Sequence, residues 1–598
     1  MFRIVKKFRG VLTRSQQFQI LLLGFLMVIG GILEMLGVSL IVPLITAVMD
    51  KDFMKSSYAS LAARLFHIDT YYGVMMLLLG ILIFIYIFKN AFLFVEYYLQ
   101  YRFVCNNRFA VQKRLLRVYM YRPYEFFLNA TTGEITRVIN TDVTNAFNLL
   151  TTVLTFFTEA TVSAALILIV FLIDPAFAAM IGVILGAIML LMFKAVKPKL
   201  GRASEKFMKN TSLSNKWILQ SLNGIKDIKI HHKEEYFIDE YAVHGKKAID
   251  AEKLNSVVTM LPRLLIEAVS MSSILAVIMI MVSLGQSIES LVPQLGALGV
   301  AAIRLLPSTT RISGAINAAA FQEPMLDNLI KNLNAAKDWE TQAQSQQSPK
   351  KQDKWKNQDD PDSNNRIPDG SLTYENQFAL SDICFHYPNA NKNVLEGANM
   401  TIPAGKSVGI IGTSGSGKTT AVDILLGLLK PQSGMVSADG KNIFDDYEGW
   451  LSHISYIPQA IYMLDDSIRA NVAFGQKKDR IDDAQVWKAL EEAQLKEFVE
   501  SLPNGLHTQI GERGVRLSGG QRQRIGIARA LYSDPKLVIF DEATSALDNE
   551  TEAAIMESIN HLHGKKTLVI IAHRLTTIEE CDLIFRVENG KIIQQDRL

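Results

Sequence analysis

Apolar residues fall in long unbroken blocks up to residue 325 and in short β-branched runs after residue 377. Six blocks in the first region, near 18–49, 71–98, 148–173, 176–196, 257–285 and 291–313, are long enough to cross a bilayer. Crossing takes about 20 mostly apolar residues in a helix. The joints between blocks alternate in character. Asp174-Pro175 and QSIES at 286–290 are short, and 50–70 is of mixed charge. The segment 99–147 carries Arg102, Arg108, Lys113, Arg114, Arg117, Arg122 and Arg137, and 197–256 is rich in lysine. Basic connections stay on the cytoplasmic side, so the pattern predicts an even number of spans with both termini inside. The two long basic segments contain few helix breakers, and are predicted to carry the membrane helices into the cytoplasm as extended hairpins.

The pattern changes twice more. Residues 326–376, including DWETQAQSQQSPKKQDKWKNQDDPDSNNRIPDG, hold too few apolar side chains to fold alone and are predicted as a linker, with room for a short helix at 326–345. Beyond them, short strands such as KSVGII and KLVIF alternate with helical stretches such as GKTTAVDILLGLL and DAQVWKALEEAQL. The chain is therefore expected to be an all-α, six-helix transmembrane domain (1–325), a polar linker (326–376) and an α/β domain (377–598).

Composition adds limits. The 598 residues are 49% hydrophobic with a net charge of only +3, so the position of the basic residues says more than their number. The three cysteines, Cys105, Cys384 and Cys581, have no metal-ligand spacing and give no reason to expect a disulfide framework. The basic start MFRIVKKFRG precedes an apolar run too long for a signal-peptide core, which reads as a retained first span.

Candidate chemistry lies mainly in the last domain. Gly412, Thr413, Ser414, Gly415, Ser416, Gly417, Lys418 and Thr419 fit the phosphate-loop pattern G-x-x-x-x-G-K-[ST], between a strand and a helix that continues with Thr420. Glycines there let backbone N–H groups turn toward phosphate oxygens at the positive end of a helix. Lys418 is expected to reach the β- and γ-phosphates of ATP, and Thr419 to ligate Mg²⁺. The apolar strand LVIFDE ends in Asp541, suited to the metal, and Glu542, suited to polarising the attacking water.

Between these two motifs stands Leu517-Ser518-Gly519-Gly520-Gln521, followed by RQRIGIARAL. This run resembles the signature of ATP-binding-cassette transporters. The resemblance extends, in order, to Tyr387 in ICFHYP, Gln459 in SYIPQ, TQIGERG at 508–514, SALD at 545–548 and His573 in IIAHRL. It implies adenine stacking on Tyr387, a metal-sensing role for Gln459 and a γ-phosphate contact for His573. It also implies that Ser518, Gly519, Gly520 and Gln521 complete the ATP site of a second copy. With one cassette and six spans, the chain resembles an exporter-type half-transporter, for which a homodimer is the simple expectation. The spans exclude a soluble cassette ATPase acting on nucleic acid.

The cargo must be read from the spans, where ionisable residues are costly. These are Glu34, Lys89, Glu96, Glu159, Arg263, Glu267, Arg304 and Arg311. Glu34 or Glu159 could neutralise Arg304 near mid-depth, Arg263 could pair with Glu267, and Arg311 could snorkel to the inner interface. The alternative is a chamber lined by Arg263, Arg304 and Arg311, suited to a phosphate or diphosphate. LEMLGVSLIVPL and AAIRLLPSTTRIS resemble bacterial flippases for lipid-linked oligosaccharides, which implies an anionic polyprenyl-diphosphate glycan and a cytoplasmic (inner) membrane location. A multidrug, peptide or other lipid exporter is the competing expectation.

Overall fold

A computed structural model of the chain describes residues 1–39, 44, 70–173, 175–283, 288–346, 374–541, 556–571 and 578–595, apart from the single positions 389, 391 and 558. It divides into two compact units, Met1–Arg122 with Asn129–Ser348, and Pro123–Leu128 with Pro349–Leu598. The expected architecture, helical first and α/β second, is the one observed.

The described residues of the first unit form helices joined by short turns. A short helix α1 (Phe2–Phe8) precedes α2 (Arg14–Ser39), α3 (Tyr71–Met120), α4 (Tyr124–Asn129) and α5 (Thr132–Arg137). The helices α6 (Val143–Ile173), α7 (Pro175–Asn223), α8 (Ile225–His231), α9 (Glu234–Ser283) and α10 (Ile288–Gln346) follow; α4 clusters mostly with the second unit. Helices α3 and α9 each run for 50 residues, about 75 Å at 1.5 Å per residue, far more than a bilayer requires. The apolar blocks therefore pass without interruption into the basic segments. Among the described residues, Arg14–Glu34 and Tyr71–Met120 are long and apolar enough to cross a membrane. Both present large apolar side chains outward, among them Phe18, Leu21, Phe25, Ile83, Phe84 and Phe94. In water such a surface would be a liability; against lipid it is the expected one.

Polar contacts lock the helices where they leave the apolar blocks. Lys7 of α1 donates to Glu323 of α10 at 2.6 Å and pairs with Asp327, while Phe8 is buried edge-on against Phe147 of α6. Between α5 and α6 the chain makes one π turn, Val138–Asp142. Such a turn widens the helix, and here neighbours fill it: Gln112 Nε2 of α3 donates to the Ile139 carbonyl, and Asn328 Nδ2 of α10 donates to Asp142.

The second unit holds two sheets. Strands β1 (Gln377–Phe385), β2 (Leu395–Pro403), β4 (Ser433–Ala438) and β5 (Lys441–Asn442) form an antiparallel sheet in the order β2-β1-β4-β5. The larger sheet has the order β10-β9-β3-β8-β7-β6, with β3 (Ser407–Ile411), β6 (Ile454–Ile457), β7 (Leu537–Asp541), β8 (Thr567–Ile571) and β9 (Leu583–Glu588) parallel and β10 (Lys591–Gln595) antiparallel at one edge. Strands β3, β7 and β8 are buried along their whole length, which explains their continuous apolar sequence. Alternation then sorts side chains between two cores. Val538, Phe540, Leu568 and Ile570 enter one, and Leu537, Ile539, Val569 and Ile571 enter the other, beside the fully buried Trp450.

Candidate functional site

The loop 412–417 leaves the end of β3 and enters helix α11 (Lys418–Leu425). Three of its residues need glycine's freedom: φ is +154° at Gly412, +77° at Gly415 and +105° at Gly417. At Gly412 the need is also steric, since a Cβ would stand 2.5 Å from the Val587 carbonyl oxygen. The loop folds over Lys418, which is only 6% exposed. Its Nζ donates to the Gly412 and Thr413 carbonyls at 2.9 and 3.1 Å, and no described carboxylate pairs with it. Ser416 Oγ is buried without a hydrogen-bond partner among the described residues. A buried cation held by dipoles alone and an unpaired hydroxyl are both costly, unless an anion with several acceptor oxygens completes them. Thr413, Ser414, Gly415 and Thr419 are exposed. Thr420 is buried, and its Oγ1 lies 3.1 Å from the hydroxyl of Tyr387.

Asp541 ends β7, separated from β3 in the sheet only by β8, so the parallel sheet delivers it and the glycine loop to the same strand ends. Its carboxylate is 7% exposed and accepts a 2.9 Å hydrogen bond from the hydroxyl of Tyr456 on β6. Burial raises the Tyr456 phenol, and the Asp541 charge adds to that rise. Asp423 on α11 feels the same carboxylate: burial first, then the charge of Asp541, push it up to about 6. Oxygen donors of this kind, Thr419 and Asp541, suit a hard divalent cation that keeps phosphate oxygens among its ligands. Gln459 is exposed two positions past the end of β6.

The LSGGQ run caps a second helix, α12 (Gly519–Leu531). Ser518 Oγ accepts from Gln521 N, and Gln521 Oε1 accepts from Ser518 N, a reciprocal capping box. The Ser518 hydroxyl hydrogen is not used by that box, and Ser518 and Gly519 are exposed while Gly520 is buried. Arg522 ties the preceding turn by donating to the Gly514 and Leu517 carbonyls. Arg529 anchors the far end through the Asn471 and Tyr462 carbonyls. Glu542, the SALD run at 545–548 and His573 lie outside the described residues.

Comparison with known proteins agrees with this geometry. Residues 20–300 match the family described as ABC transporter transmembrane region, and residues 395–545 match ABC transporter. The chain belongs to the ABC transporter family. It is similar to the ATP-dependent lipid A-core flippases of Bordetella avium (42% identity over 209 residues, 35% of each chain) and Saccharophagus degradans (43% over 216 residues, 36% of each). It is also similar to ABC transporter BEA3 of Gibberella fujikuroi, at 38% over 220 residues, 37% of this chain and 17% of that protein. The chain thus matches about a third of the length of the flippases. Among solved structures, a bacterial Atm1-family ABC exporter with ATP bound has a TM-score of 0.70 at 20% identity, covering 97% of this chain and 95% of that one, a likeness of fold.

In the membrane unit of this ABC transporter, several ionisable residues have partners that sequence spacing does not suggest. Glu34 pairs with Lys89 at 2.7 Å, and the lysine side chain is only 3% exposed. Glu159 pairs with Arg311 at 2.5 Å; the carboxylate is buried, whereas the arginine side chain remains 59% exposed. Arg311 is therefore fixed from a second helix rather than extending alone. Glu96, 1% exposed, accepts from Gln100 Nε2 at 2.8 Å. Arg263 and Glu267 are both exposed. The side chain of Arg304 lies outside the described residues.

Proposed function

We propose that two copies of this chain form an ATP-driven exporter that moves an anionic amphipathic lipid across the cytoplasmic membrane of a bacterium, with both termini inside. The observation that carries the ATP reading is Lys418, a buried cation held, among the described residues, only by the carbonyls of a loop that wraps it. The γ- and β-phosphates would complete its coordination, the loop N–H groups would line the phosphate chain, and Ser416 would find its missing partner. The ring of Tyr387, tied to the first turn of α11 through Thr420, would stack on the adenine. Thr419 and Asp541, with Gln459, would hold Mg²⁺, which would neutralise phosphate charge. Glu542 would polarise water, and His573 would touch the γ-phosphate. Ser518 to Gln521 of each copy would close the site of the other.

The lipid reading rests on the membrane unit. Arg311 keeps more than half of its side chain exposed although Glu159 holds it, as a cation positioned for a further anion would. The similarity to lipid A-core flippases supports lipid transport in general. Within that class we favour a polyprenyl-diphosphate-linked oligosaccharide, whose diphosphate would meet Arg311 and Arg304 two helical turns apart, with Arg263 nearby in the chamber. Lipid-stimulated ATP hydrolysis of reconstituted protein tests this choice. A polyprenyl-diphosphate glycan should stimulate more strongly than lipid A-core or a hydrophobic drug, and Arg311→Ala should remove the difference. Equal stimulation by the drug would favour the multidrug reading, and preferential stimulation by lipid A-core would replace the glycan.

A further inference from the structure

We propose that Tyr456 is a positioning residue that orients the Asp541 carboxylate for the divalent cation; the proposal rests on Asp541 being a metal contact. Strand β6 reads Ile454-Ser-Tyr-Ile457, and its two isoleucines are buried in the cores. A phenol in this short strand needs a polar partner, because its ring is half-buried. It finds that partner on the neighbouring strand. Tyr456 pairs in register with Ile539, and Asp541 is the next residue along β7 on the same face as Ile539. The Tyr456 side chain thus runs along β7 and donates to Asp541 Oδ2 at 2.9 Å.

The chemistry of this donor matters. A lysine or arginine at that place would neutralise the carboxylate and lower its value to a cation. A phenol leaves the charge intact and fixes one oxygen, which fixes the plane of the whole carboxylate. Hydrogen-bond donors behind ligating carboxylates commonly tune metal affinity by about 10–100-fold. The same strand leads in three residues to Gln459, so Tyr456 also ties the approach to that glutamine to the end of β7.

The test is Mg²⁺-dependent binding of a fluorescent ATP analogue to the full-length protein in detergent, with hydrolysis as a second reading. Tyr456→Phe removes one oxygen and keeps the ring. It should raise the Mg²⁺ concentration for half-maximal binding by about 10-fold. Binding without Mg²⁺ should not change, and kcat at saturating Mg²⁺ should fall by less than the midpoint moves. Asp541→Asn should move the same midpoint further. If the phenylalanine variant fails to fold, Tyr456→Met reads the same shift. An unchanged midpoint in Tyr456→Phe beside a shifted one in Asp541→Asn would overturn the role of Tyr456 alone. Equal weakening of binding with and without Mg²⁺ would reduce Tyr456 to a structural residue. An unchanged midpoint in Asp541→Asn would overturn the metal assignment, and the proposal with it.

Discussion

Arg137 and Lys418 are equally hidden, each 6% exposed, yet they are compensated in opposite ways. Arg137 Nη1 donates to both carboxylate oxygens of Asp142, at 2.8 and 2.7 Å, and Asn328 supplies a third bond to the same carboxylate at 2.6 Å. Its charge is cancelled within the fold. Lys418 meets two carbonyl dipoles and, among the described residues, no carboxylate. The first arrangement ties α5, the π turn and α10 together. The second leaves a positive charge to be met from outside. Burial of a cation therefore says little by itself; the chemistry of its partners separates a structural cation from one placed for a ligand.

The contrast can be broken by substitution. The largest expected effect is on catalysis. If Lys418 meets the phosphates as proposed, Lys418→Ala should lower ATP hydrolysis by about 100-fold or more, because the removed charge would act where phosphate charge develops. The thermal midpoint without nucleotide should stay or rise, since an incompletely compensated buried charge is gone. A marked fall in that midpoint, with hydrolysis retained, would make Lys418 a structural cation like Arg137. The mirror experiment is Asp142→Ala, which strands the guanidinium and should cost about 3–5 kcal/mol in unfolding of the detergent-solubilised protein. Nucleotide affinity should be unchanged. The double variant Arg137→Met with Asp142→Leu should recover most of the loss; if it does not, the pair contributes more than mutual neutralisation.

A smaller effect sharpens the comparison with a carboxylate compensated by dipoles. Asp439 accepts backbone N–H bonds from Glu375, Asn376 and Gln377 at the start of β1. Burial opposes its ionisation, but these three donors outweigh burial and hold the carboxyl below the usual range. A depressed native value means that the unfolded chain binds the proton more tightly. The stability Asp439 contributes is therefore full above the ordinary carboxylate range and is lost as pH falls through the lowered value. Asp439→Ala should cost about 1–2 kcal/mol at pH 7 and less on acidification. A loss independent of pH would mean that the charge is irrelevant.

What could be read from the sequence follows the range of the interactions. The apolar blocks dictate their helices, and the basic segments continue them, because periodicity is local. The glycine loop was legible for the same reason: Gly412, Gly415 and Gly417 specify their own backbone. The partners of buried polar groups were not legible. Glu159 lies 152 positions from Arg311, Asp541 lies 85 from Tyr456, and Asn328 lies 186 from Asp142. Spacing offered Arg263 with Glu267, and it did not suggest that Lys89 pairs with Glu34. Tyr456 carried one faint signal, a phenol in a short buried strand three residues before Gln459. The long helices hide such pairings because residues far apart in sequence meet only when whole helices pack.

The most direct test of the account is ATP-dependent movement of a polyprenyl-diphosphate glycan across vesicles reconstituted with the full-length protein, read by accessibility of the glycan from outside. Transfer should require ATP and Mg²⁺ and be absent in Lys418→Ala. Transfer that continues without ATP, or steady hydrolysis by the wild type that moves no lipid of this class, would contradict it.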